Sequence, residues 1–228
     1  MKIAITIKQW LQRNRGFLLF LVAFGFFRTA VADWNPIPSG SMRPTILEGD
    51  VVWVNRLAYD VKVPLADIVV ARLADPQRGD IVTFSSPKDG TRLIKRLIAV
   101  PGDLVELRNE VLFLNGEAAM YEDIVPASES VGYGLVVQAT RATELLAGNK
   151  RRVQVLSQVS AKRTFGPVIV PPNQFFMLGD NRDNSEDSRF IGFVPRERLI
   201  GRAERVLVSA NITGNWLPRL ERTGSKLQ

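Results

Sequence analysis

Ser41 lies in Ser39-Gly40-Ser41-Met42-Arg43-Pro44-Thr45, in a chain with no histidine and no cysteine. If Ser41 is a nucleophile, no imidazole can take its proton and no thiol can replace it. Lysine and the carboxylates remain as bases, and a Ser-Lys pair is a known variant of the serine-nucleophile arrangement. A serine in a Gly/Pro-rich turn is also an ordinary turn residue. Lys95 is the candidate base. It sits in Leu93-Ile94-Lys95-Arg96, where period-two alternation puts Leu93, Lys95 and Leu97 on one face and Ile94, Arg96 and Ile98 on the other. Burial among apolar neighbours disfavours the charged amine, and moving its pKa from about 10.4 to about 7 corresponds to roughly 4.6 kcal/mol. The competing reading is an edge-strand lysine facing solvent.

A second polar constellation is Gly179-Asp180-Asn181-Arg182-Asp183-Asn184-Ser185-Glu186-Asp187-Ser188-Arg189. Such an unbroken polar run is a loop. Its carboxylates suggest calcium, but the EF-hand spacing fails. Counting from Asp180 the third position is Arg182, and counting from Asp183 the sixth is Ser188 where glycine is needed. A hydrogen-bonded loop with internal ion pairs such as Asp187–Arg189, or a solvated surface loop, fits the residues.

These groups need elements to hold them. After residue 48 the chain reads as short β-branched runs at 51–55, 68–72, 81–85, 93–100, 104–108, 111–115, 152–159, 168–170, 174–178 and 205–209. Gly-Asp turns at 49–50, 79–80, 102–103 and 179–180 punctuate them. Short strands at close spacing predict a mainly β sandwich or barrel-like core. Residues 104–115 read as a hairpin with Asn109-Glu110 at its tip. One helix is expected at 139–147. Residues 117–166 show few regular strand patterns and read as an insertion between two halves of the core.

Ahead of the strands, residues 17–27 form an uninterrupted apolar run of 11 residues, short of the ~20 that usually span a bilayer. By length the run resembles a secretory signal, with Ala30-Val31-Ala32 as a cleavage site. Alternatively Arg28 snorkels, and an anchor runs from Gly16 to Trp34 with the tryptophan at the interface. Both readings export residues 35–228. The net charge is +7, of which Lys2, Lys8, Arg13 and Arg15 supply +4 before the apolar run. That placement suits anionic lipid rather than nucleic acid. The lack of cysteine and histidine removes disulfides and thiolate zinc sites and argues against zinc or haem. No metal and no cofactor is expected.

Together these segments resemble bacterial type I signal peptidase, the membrane-bound Ser-Lys endopeptidase family of protein export. Four blocks match in order: residues 38–45, residues 79–84, residues 94–103, and residues 179–189 running on to Gly192-Phe193-Val194-Pro195. The resemblance covers about residues 28–116 and 167–205. It implies a signal-peptidase-like, mainly β core with one N-terminal transmembrane helix and an inserted smaller subdomain. The divisions are a basic cytoplasmic tail at 1–15, an anchor at 16–34, a core at 35–116 and 167–228, and the insertion at 117–166. It implies Ser41 as nucleophile, Lys95 as general base, and an oxyanion hole from the Ser41 N–H and the Ser39 hydroxyl. Ser185 would orient the Lys95 ammonium, Asp180 would pair with Arg96, and Asp187 with Arg189. Gly179 would meet a backbone requirement of the loop.

Further implications concern the substrate. Preproteins with small residues at −1 and −3 would lie extended along a strand edge, near Ile37, Met42, Ile46 and Ile94. The partners are exported preproteins and membrane lipid, with no nucleic acid. The site is the bacterial inner membrane, single-pass, with the catalytic domain on the periplasmic side. An exposed apolar face would dip into the outer leaflet, and Trp53 is either part of it or a core aromatic. The chain departs from the family's Gram-negative form in having one span rather than two and a shorter insertion. Three other readings share features of the chain. They are a conjugation-type Ser-Lys peptidase, a self-cleaving repressor that would need a DNA-binding domain, and a silent membrane-anchored β-domain.

Overall fold

The computed structural model describes residues 2–64, 66, 68–130 and 135–227. Met1 of the expected tail, residues 131–134 of the expected insertion and Gln228 of the expected core lie outside them. Two helices lead the chain, α1 (Lys2–Arg13) and α2 (Arg15–Ala30). Among the described residues no helix is long and apolar enough to cross a membrane. The anchor expected at 16–34 is cut short at Ala30, because residues from Ala32 onward are drawn into a strand that pairs with 51–55. No residue of α2 is buried. Trp34, expected at an interface, packs against Phe24 with the rings tilted by 45° and their centroids 5.8 Å apart, and the Arg28 guanidinium lies 4.5 Å from its ring.

In chain order the strands begin with β1 (Ala32–Pro36), β2 (Asp50–Asn55), β3 (Asp60–Lys62), β4 (Val69–Arg72), β5 (Ile81–Ser85) and β6 (Arg92–Ala99). Next come β7 (Leu104–Arg108), β8 (Val111–Leu114), β9 (Glu117–Ala118), β10 (Met120–Ser130), β11 (Val136–Leu146) and β12 (Asn149–Leu156). Last are β13 (Phe165–Ile169), β14 (Gln174–Leu178), a short helix α3 (Ser188–Ile191), β15 (Val194–Pro195) and β16 (Leu199–Ser209). The main sheet runs β1-β2-β16-β5-β6-β14-β15. The β7–β8 hairpin forms as its sequence predicts, with Asn109 and Glu110 at positive φ in the turn.

The alternation read in 93–98 is realised. Leu93 and Leu97 join one apolar cluster with Val82, Phe84 and Met177, while Ile94 joins another with Ile37, Met42 and Ile81. Each such fully buried aliphatic side chain contributes roughly 1.5–3 kcal/mol. β6 is therefore clamped on both faces, and β5 fixes its register through Val82↔Lys95 and Thr83↔Ile94.

Two expectations fail in the region 117–166. The helix at 139–147 is instead β11, and the supposedly irregular insertion holds a three-stranded sheet, β10-β11-β12. Ala, Arg, Glu and Leu favour a helix locally, but Val137 and Ala139 face inward at period two against Leu156, and pairing on both sides overrides propensity. Trp53 is not a core aromatic. Val52 and Val54 point inward, and half-buried Trp53 lies opposite Trp34 across β1 and β2.

Candidate active site

Ser41 sits in a short 3-10 turn, Gly40–Met42, between β1 and β2. Packing fixes the turn from below, since Met42 and Ile46 are both fully buried. A Cβ on Gly40 would lie 2.8 Å from Glu48 Oε1 and 3.2 Å from Arg43 Nε, so those two side chains would have to shift. The turn presents a largely buried Ser41 to β6, and Lys95 Nζ lies 2.8 Å from Ser41 Oγ. Lys95 is 2% exposed. Burial drives its pKa down from 10.5 to about 8, and the negative charges of Asp187, Glu186 and Asp180 limit the fall. Its amine also donates to the Ile94 carbonyl at 3.0 Å, which fixes its direction.

The polar loop closes over this pair. Asp180, Asn181, Asp187 and Arg189 are all buried, which excludes a solvated surface loop. Asp180 accepts two bonds from Arg96, 2.8 Å from Nε and 2.7 Å from Nη2. Asp187 accepts from Arg189 Nε at 2.8 Å and Nη2 at 2.9 Å, caps α3, and takes the Gly179 N–H at 3.1 Å. Gly179 is dictated by space, since a Cβ there would lie 2.5 Å from the Ser41 carbonyl and collide with Ser185 Oγ.

The structure treats the remaining expected residues unequally. Ser39 is exposed, precedes the Ser41 turn in extended conformation, and lines a cleft of about 360 Å³ with Ser41, Lys95, Ile37 and Ile94. Met42 and Ile46 do not line it, because they are spent anchoring the turn from within the core. The bond expected from Ser185 to Lys95 is not made. Ser185 Oγ is buried without a hydrogen-bond partner among the described residues, and the Lys95 amine contacts Ser41 Oγ and the Ile94 carbonyl instead. A larger cleft of about 550 Å³, around Arg78, Arg202 and Lys226, contains no serine or threonine hydroxyl.

Sequence reasoning missed Asn181, whose side-chain amide donates to the Gly40 carbonyl at 3.0 Å and whose N–H donates to the Ser41 carbonyl at 3.1 Å. It missed Thr45, which donates to Asp180 Oδ2 at 2.5 Å. Both lie inside motifs already singled out, so an inventory of donors there would have raised them. It also missed Glu144 on β11, which accepts from Arg182 Nη1 at 2.6 Å and Nη2 at 2.8 Å and ties the β10–β12 sheet to the loop. A segment read as a helix offered no signal for that contact.

A family model described as signal peptidase, peptidase S26, matches residues 7–208. The chain belongs to this family. Signal peptidase I of Pseudomonas fluorescens is 34% identical over 206 residues, covering 84% of this chain and 69% of that protein. Signal peptidase I of Rickettsia typhi is 35% identical over 202 residues, covering 82% and 75% respectively. A solved signal peptidase I from Enterococcus faecalis is 30% identical, with 57% of this chain and 97% of that chain covered at a TM-score of 0.34. As a signal peptidase of this family, the protein is a peptide-bond hydrolase, and its fold is mainly β.

Proposed function

We propose that this signal peptidase cuts signal peptides from exported preproteins with a Ser41–Lys95 dyad, after small residues at −1 and −3. The approach of Lys95 Nζ to within 2.8 Å of Ser41 Oγ, in a site that disfavours the ammonium, carries the reading. Neutral Lys95 takes the Ser41 proton as Oγ attacks the scissile carbonyl. The Ser41 N–H and the Ser39 hydroxyl stabilise the oxyanion. The Lys95 ammonium then protonates the leaving amine, held in direction by the Ile94 carbonyl. A water deprotonated by Lys95 releases the acyl group. Asp180–Arg96 and Asp187–Arg189 hold the loop that supports the catalytic turn.

Residues 92–95 of β6 pair with β5, whereas the pairing with β14 ends at Arg96, so one edge is open beside Ile94. An extended substrate adds there. Ile37 and Ile94 in the cleft wall limit side-chain size. Helix α2, apolar and with no buried residue, is the segment that enters the membrane, the basic residues before it staying cytoplasmic and the catalytic core outside.

The test is incubation of the detergent-solubilised protein with a preprotein bearing an Ala-x-Ala site, beside its Ser41→Ala variant, followed by sequencing of the new amino terminus. Cleavage after the second alanine by wild type alone is expected. Cleavage by the variant, or by neither folded protein, refutes the dyad.

A further inference from the structure

The walls of the Ser41–Lys95 cleft include apolar Pro36, Ile37, Leu93 and Ile94, and beside the exposed Ser39, Thr91 and Arg92 they hold two polar side chains with buried, unpaired atoms. Thr83 on β5 is 1% exposed, and its hydroxyl has no hydrogen-bond partner among the described residues. Asn35 on β1 accepts from Arg92 Nη1 through Oδ1 at 2.8 Å, which leaves its Nδ2 as the free donor. That Nδ2 is buried and also without a partner. Buried polar groups are paired in all but a few cases, and each unpaired one carries a penalty. Two of them lining one catalytic cleft, outside the dyad, mark a place for a polar group from outside the chain.

The chemistry of that group follows from the two atoms. Asn35 Nδ2 only donates, while the Thr83 hydroxyl donates or accepts. An aliphatic hydroxyl satisfies both, accepting from Asn35 and donating to Thr83. The one guanidinium lining the cleft, Arg92, already donates to Asp33 Oδ2 at 2.9 Å and to Asn35 Oδ1 at 2.8 Å, so it is not left for a carboxylate. The position in the substrate follows from geometry. The −1 side chain must abut Ser41, and in an extended peptide the −3 side chain points the same way about 7 Å further along. Along the chain Asn35, on β1, precedes Ile37, while Ser39 and Ser41 follow it, so of this stretch Asn35 is the lining residue furthest in sequence from the nucleophile.

We infer that this peptidase prefers serine or threonine over alanine at −3, with Asn35 and Thr83 as the specificity-determining residues. The inference rests on the Ser41–Lys95 reading. Satisfying a pair of orphaned groups predicts about a five- to tenfold higher kcat/KM for a Ser-x-Ala site than for an Ala-x-Ala site in the same preprotein.

The experiment measures both substrates with the full-length, detergent-solubilised protein and with Thr83→Val, Thr83→Ser and Asn35→Leu. The readout is the ratio of the two substrates within each protein. A ratio of five to ten in wild type, falling to about one in Thr83→Val and Asn35→Leu and retained in Thr83→Ser, is expected. Asn35 is only partly buried, so Asn35→Leu carries the test if Thr83→Val does not fold. Equal rates on both sites in wild type, or a ratio unchanged in Asn35→Leu, overturns the inference and leaves the dyad standing. No cleavage of either site by folded wild type overturns the dyad reading itself.

Discussion

Acidification should disable the enzyme in proportion to the charge on one amine. The Lys95 pKa falls from 10.5 to about 8 because the side chain is buried. At pH 9 about nine-tenths of the molecules then hold the neutral base, and at pH 6 about one in a hundred. kcat/KM on a preprotein without ionisable groups near its cleavage site should therefore drop about ninetyfold between those values, with a limb midpoint near pH 8. The same proton affects stability. Between pH 8 and 10.5 the unfolded chain holds a proton that the folded chain has lost, so stability rises with pH across that window. The rise is about 3 kcal/mol, and Lys95→Met should abolish it. The assay is a pH series of kcat/KM in detergent at constant ionic strength, paired with denaturant melts of both proteins. A profile flat from pH 6 to 9, or a midpoint near 10.5, refutes a buried lysine base. Retained activity in a folded Lys95→Arg variant, which cannot lose its proton at these pH values, refutes it equally.

Three further outcomes follow from the geometry. Gly179→Ala pushes a methyl group at the Ser41 carbonyl, and kcat should fall about a hundredfold or more with the sheet's circular dichroism unchanged. Asp180→Asn removes the negative charge facing the buried Arg96 guanidinium and should cost about 3–5 kcal/mol in urea melts. Burial pushes the Glu144 carboxyl up, but Arg182 and Arg151 more than offset this and bring it from 4.5 down to about 2. Its stabilisation is present above pH 4.5 and lost as pH falls toward 2, so Glu144→Gln should flatten the acid limb of a pH–stability curve.

The parts of the fold legible in the sequence were those whose pattern is local. Residues 93–98 alternate because each face meets its own apolar cluster, and the 104–115 hairpin carries turn residues that accept positive φ. Residues 139–147 misled because strand formation there is imposed by partners on both sides, which no local propensity reports. At the site, residue types and order pointed to Ser41, Lys95 and the loop. They could not separate a residue that lines the cleft from one that anchors it, so Met42 and Ile46 were assigned to substrate while lying wholly beneath it. They also could not show that Ser185 lacks a partner, since that depends on where the folded loop sets its hydroxyl relative to the amine.

The strand order has a consequence for how Ser41 and Lys95 are held together. The turn bearing Ser41 links β1 to β2, and Lys95 rides on β6 beside β5, yet β2 and β5 are not neighbours. β16, the last strand of the chain, lies between them. The two side chains that meet at 2.8 Å are therefore carried by strands that β16 holds apart in the sheet. β16 supplies no residue to the cleft the two share, yet its pairing with β2 on one side and β5 on the other sets their spacing.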